Sequence, residues 1–145
     1  MRACAFLFGL TLLVGTAALA ETVSVELAFS DKALAELLSR GEGVILASNW
    51  IGEPAPGSTL TDPETGMVYL QWEELTIYPG PATLVLGANL SSAPLDQVIE
   101  PVLNLNVYSA RWTDEKNLLA CDVLDGPLSQ LVGSPHKLTC KLIGE

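Results

Sequence analysis

Residues 23–29 read Val-Ser-Val-Glu-Leu-Ala-Phe, and this alternation sets the fold class. Val23, Val25, Leu27 and Phe29 share one face of an extended chain, the pattern of a half-buried strand. The same period recurs downstream. Leu84, Leu86, Ala88 and Leu90 share a face within 83–90, and Leu103, Leu105 and Val107 alternate with Asn104, Asn106 and Tyr108. Leu119, Cys121 and Val123 share a face within 117–124, and Leu138, Cys140 and Leu142 do so within 137–143. Met67 to Trp72 and Leu75 to Tyr78 read as two strand segments parted by Glu73-Glu74. Val44 to Ile51 is a strand whose unbroken apolar start, Val44-Ile45-Leu46-Ala47, predicts burial on both faces, under the helix.

One helix stands out. Ser30 or Asp31 caps a segment running to Arg40, with Leu34, Leu37 and Leu38 as its apolar stripe and Gly41 as its stop. Glu36 and Arg40 are four apart and pair on the outer face. Single helical turns are expected at 96–100, ahead of Pro101, and at 128–132. Asp125-Gly126-Pro127 reads as a strand break. Seven or eight short strands and one helix after the first strand predict a mainly β domain: an antiparallel two-sheet sandwich or a flattened barrel.

The start of the chain gives an address. Arg2, the apolar run from Ala5 to Ala18, and the small-residue site Ala18-Leu19-Ala20 ahead of Glu21 have the layout of a secretory signal peptide. Residues 1–20 are therefore read as signal and 21–145 as a single exported β-rich domain, periplasmic or extracellular. No later stretch has 18 apolar residues in a row, so no membrane insertion is expected after cleavage.

Charge and cysteine content narrow the partners. The chain has 17 acidic and 7 basic residues, a net charge of -10, and loss of Arg2 takes it to -11. This excess argues against nucleic acid and favours a basic partner. Cys4 lies in the signal. Cys121 and Cys140 remain, and both fall on apolar strand faces, which predicts one buried disulfide across a strand pair or across two packed sheets.

Chemistry-bearing motifs are sparse. His136 is the single histidine, in Gly133-Ser134-Pro135-His136, and reads as a turn residue before the last strand. A triad can be drawn with it and Ser129 or Ser134, but there is no nucleophile elbow. The histidine and cysteine content does not supply a zinc or copper ligand set, and Asp62 and Glu64 lack the calcium-loop pattern, so no metal and no cofactor are expected. No glycine-rich phosphate motif is present. The aromatic residues are the remaining candidates. Trp50 and Trp72 flank a Pro- and Gly-rich stretch, 52–66, that reads as the longest irregular segment. A loop of this length is often functional. Trp50, Ile51, Glu53, Asp62, Glu64 and Trp72 are therefore the predicted partner-binding residues, with Trp112, after Arg111, next in line.

These observations favour a non-enzymatic exported domain that binds a protein partner. An inhibitor of a basic enzyme is one concrete form. A small-ligand or glycan binder using the Trp50 and Trp72 region is the first rival, and a hydrolase using carboxylates or His136 is the second. A flat apolar patch favours the protein binder, an aromatic-lined groove the ligand binder, and converging acids the hydrolase. N-terminal sequencing of the exported protein should begin at Glu21, and a mature chain that keeps Phe6 to Leu13 would overturn the address.

Overall fold

The computed structural model describes residues 21–145, so the signal reading of 1–20 lies outside the described residues. The element order is β1 (Val23–Phe29), α1 (Asp31–Arg40), β2 (Val44–Gly52), β3 (Val68–Ile77), β4 (Ala82–Leu86), β5 (Val102–Ser109), β6 (Leu119–Cys121), β7 (Leu124–Pro127), α2 (Leu128–Leu131) and β8 (His136–Leu142). Two 3₁₀ turns, Leu90–Ser92 and Leu95–Gln97, lie between β4 and β5. Among the described residues no helix is long and apolar enough to cross a membrane.

The strands form two four-stranded sheets, ordered β4-β1-β8-β6 and β3-β2-β5-β7. This is a sandwich and not a closed barrel. Its pairing is mixed, because β1 and β8 run parallel, with Leu27 opposite Leu138 and Phe29 opposite Cys140. The other paired strands are antiparallel.

The alternation seen in sequence decides which side chains meet. Val23, Val25 and Leu27 face inward from β1, with Leu86 and Leu138 beside them. Leu46, Trp50, Leu103 and Leu105 supply the opposing layer. Burying each of these side chains contributes about 1.5–3 kcal/mol. The α1 helix runs from one sheet to the other and inserts Ala33 and Leu37 into the same core. Ser30 caps it, its Oγ accepting from the Ala33 N–H at 3.1 Å, and Gly41 closes it. Leu38 is exposed, so the buried stripe is Ala33 and Leu37 rather than the predicted leucine triple. The helix packs on β1 and β8 and not over β2. The buried apolar start of β2 has another cause: β2 is an inner strand, flanked by β3 and β5 along its length.

Four further points differ from the sequence reading. Glu73-Glu74 does not interrupt β3, because one carboxylate goes to each side of the strand. Glu73 accepts from the Gly87 N–H at 3.0 Å, and Glu74 is exposed. β4 stops at Leu86, and Leu90 is buried from a 3₁₀ turn instead. The segment 117–124 splits, β6 joining one sheet and β7 the other, so Val123 is exposed. Asp125-Gly126-Pro127 lies within β7, an edge strand where a missing backbone N–H is tolerated.

Cys121 and Cys140 are bonded, and they stand directly opposite each other on β6 and β8. The bridge joins neighbouring strands of one sheet and does not cross between sheets. Cys140 is fully buried. A disulfide of this kind suggests an oxidising compartment. Replacing either cysteine by serine should cost about 2–5 kcal/mol, measured by denaturant unfolding, with the wild type under reducing conditions showing the same loss.

Candidate functional site

The predicted binding residues do not form one patch. Trp50 is 0% exposed and faces Leu103 within the core, so its indole is structural and reaches no partner. Its ring packs on Gly87, where an added Cβ would lie 2.9 Å from Cζ2. The indole Nε1 has no hydrogen-bond partner. Ile51 is half-buried. The 52–66 segment is also less irregular than its composition suggests. Gly52 belongs to β2, Pro54 bridges to Val98, and Thr61 bridges to Val68. Asp62 is held by this turn. Its Oδ1 accepts from the N–H groups of Thr65 at 2.8 Å and Glu64 at 3.0 Å, and from the Thr65 hydroxyl at 3.0 Å. These contacts, led by the Thr65 N–H, keep its carboxyl below the usual range. Glu53 and Glu64 are exposed at the end of the β2 sheet.

Trp72 is different. It is 62% exposed on the outer face of β3, and Tyr69 beside it is 52% exposed. Side chains directly opposite in a ladder share a face. Register therefore places Trp72, Asn49, Asn104 and Asp125 in one row across all four strands. Glu74, Ala47 and Asn106 form the next row, and Thr76, Ile45 and Tyr108 the one after. The Asn106 Nδ2 donates to Asn104 Oδ1 at 2.9 Å. Asn49, Tyr69, Leu70, Gln71 and Trp72 line a shallow groove on this face. An extra residue at Leu70 forms it: Trp50 pairs with Gln71 and Ile51 with Tyr69, so the strand bulges between them.

The charge on the two sheets is unequal. The strands of the β2 sheet carry Glu73, Glu74 and Asp125 and no lysine or arginine. The strands of the β1 sheet carry Lys137 and Lys141 against Glu26. Of these acids Glu74 and Asp125 lie on the aromatic face, which is acidic around Trp72, while Glu73 points to the other side. Arg111 reaches the face only at its Tyr108 end.

At the rim of the aromatic face, sequence reasoning missed a buried, fully hydrogen-bonded carboxylate. Glu42 is a charged side chain only 1% exposed, yet both its oxygens are satisfied. Oε1 accepts from the N–H groups of Gly43 and Trp112 at 3.0 Å, and Oε2 from the Thr113 N–H at 2.8 Å and hydroxyl at 2.7 Å. Burial alone pushes the carboxyl up. The Thr113 hydroxyl and the N–H groups of Trp112, Thr113 and Gly43 outweigh it and hold the group at about 2, against an ordinary 4.5. The β5–β6 connection is thereby fixed, with Arg111 at φ 61, a backbone region unusual for a side-chain-bearing residue. Trp112 lies over Gly43, where a Cβ would be 2.7 Å from its ring, so only glycine fits there. Trp112 is still 53% exposed and meets Tyr78, 83% exposed, edge to face at 6.3 Å. The Arg111 guanidinium sits 5.8 Å from the Tyr108 ring centroid. The only sequence signal for this arrangement was an acid between two glycines, Gly41-Glu42-Gly43.

His136 opens β8, and its Nε2–H donates to the Leu131 carbonyl at 2.8 Å, which joins α2 to the last strand. Among the described residues no three His, Cys, Asp or Glu side chains gather in a way that would hold a metal ion. Comparison with protein families, with curated proteins and with solved structures finds no match to this chain.

The Glu42 arrangement predicts a pH effect. Its folded value lies below its unfolded one, so its contribution is fully present above the ordinary carboxylate range. The contribution is lost as pH falls from about 4.5 through about 2. Glu42→Gln should lower stability at neutral pH by about 2–4 kcal/mol and flatten that part of the acid unfolding profile.

Proposed function

We propose that this is a non-enzymatic, exported binding module, delivered by its signal segment to the periplasm or extracellular space. It engages a basic protein partner through the outer face of the β2 sheet. The observation that carries this reading is the coincidence of exposed aromatics with acidic charge on one sheet face. Tyr69 and Trp72 stand out from it, asparagines fill the rows between strands, and its strands contain no lysine or arginine.

The composition suits recognition of a macromolecule. Tyrosine and tryptophan bring large contact area with little rotamer entropy to lose, and asparagine side chains adapt their hydrogen bonds to what they meet. The platform is rigid because it is built on paired strands, which lowers the ordering cost of association. The acidic field speeds encounter with a basic surface, and added salt should slow it. The groove at Asn49, Tyr69 and Trp72 favours one second reading, a glycan stacked on the Trp72 ring with the amides as hydrogen-bond partners.

The two tryptophans of the β2 sheet separate binding from folding. Trp50→Ala should destabilise the fold by about 3–5 kcal/mol. Trp72→Ala should leave the melting temperature within a few degrees and weaken partner binding by at least about tenfold, read by titration of the captured partner. Unchanged affinity in Trp72→Ala and Tyr69→Ala together would move the site off this face. Binding of neutral oligosaccharides that depends on Trp72 would favour the glycan reading instead.

A further inference from the structure

β3 is the edge of its sheet and is ten residues long. A long free edge is a liability unless it is covered or used. Its start is covered: Thr61 bridges to Val68, and the Asp62 N–H donates to the Met67 carbonyl at 2.8 Å. Beyond Leu70 the edge is uncovered. The Ser48 Oγ on β2 donates to the Glu73 carbonyl at 3.2 Å, so the Glu73 peptide faces β2. Backbone direction alternates along an antiparallel strand, so the N–H and C=O groups of Trp72, Glu74 and Thr76 face away from the sheet. Their side chains lie on the aromatic, acidic face.

We infer that the uncovered edge of β3 takes up an extended segment of the partner as a fifth strand, and that this segment alternates basic and apolar residues. The inference rests on the proposed binding role of this face and specifies how it is used. The pattern follows from what an added strand would meet. On the outer face its side chains would lie beside Trp72, Glu74 and Thr76, where lysine or arginine pairs with the Glu74 carboxylate and sits on the Trp72 ring. On the inner face they would lie beside Leu75 and Ile77, which are only partly buried and offer an apolar border. Main-chain hydrogen bonds to the three outward peptide groups supply affinity, and the alternating side chains supply selectivity. A second copy of this chain fits poorly, because pairing β3 with itself brings two Glu73-Glu74 pairs together.

The test uses the mature chain and a blocked peptide of alternating lysine and valine, with a glutamate-valine peptide as control. Hydrogen exchange should show the amides of Trp72, Glu74 and Thr76 becoming protected on addition of the lysine peptide and not of the control. Thr76→Pro removes an outward N–H that no neighbouring strand uses, and should weaken the peptide by about tenfold while the sheet stays intact. Glu74→Gln should weaken it by about two- to fivefold. Unchanged affinity in a folded Thr76→Pro variant, or protection confined to other strands, would overturn strand addition. So would protection of the three amides in the protein alone, rising with its concentration, which would make the occupant a second copy. If Thr76→Pro fails to fold, the exchange pattern of the unaltered protein decides. A captured partner whose affinity depends on Trp72 but not on a folded Thr76→Pro variant would keep the face as the binding site and remove strand addition alone.

Discussion

The buried carboxylate of Glu42 is the constraint on which this sandwich turns. An unpaired charge with so little exposure would cost several kcal/mol, and the fold avoids that cost by aiming four donors at it. Those donors come from the start of β2 and from the β5–β6 connection, so one group fixes where the second sheet begins relative to the helix that feeds it. The consequences spread outward. The Ala110 N–H reaches the Gly43 carbonyl at 2.8 Å, and Trp112 settles over the glycine that leaves room for it. Arg40, at the end of the helix, adds a surface link from the same helix to Asp114 at 3.2 Å. That link is exposed and contributes little by itself, but it joins the same two segments.

The other end of β2 is fixed by apolar packing rather than charge. Trp50 fills the space between the sheets, and the bulge at Leu70 lets β3 keep its pairing past that bulky side chain. The same bulge brings Tyr69 onto the outer face that Trp72 already shares with Asn49. β2 contributes an inner anchor and an outer binding row from alternate residues.

Much of the architecture could be read from period-two patterning. The strands around Val23, Leu103 and Leu138, the Ser30 cap, the Gly41 stop and the cysteine pair all follow from local rules. What could not be read was whatever depends on partners distant in sequence. Trp50 and Trp72 look alike in the chain, each flanking the same loop. One is core and one is surface because they fall on opposite faces of the paired strands, Trp50 opposite Gln71 and Trp72 opposite Asn49, a pairing that no local pattern announces. Glu42 carries no local mark of burial, because its four donors lie in its neighbour Gly43 and in a segment 70 residues away. The strand at 117–124 divided between sheets because Asp122 turns the chain, its carboxylate accepting from the Thr139 N–H at 2.8 Å. The 52–66 segment looked free by composition and is held by two isolated bridges.

The parallel pairing of β1 with β8 bears on the order of events during synthesis. β1 is the first described strand to emerge and β8 the last, yet they lie side by side in the middle of one sheet. Until β8 is available, β1 has only β4 beside it and β6 has no partner in its sheet. The sheet is therefore completed from its middle, and last of all. A nascent chain halted between Cys121 and His136 holds exposed strand edges and a Cys121 thiol without its partner Cys140. Such a chain needs shielding until β8 arrives, and the disulfide can form only once Cys140 has been added.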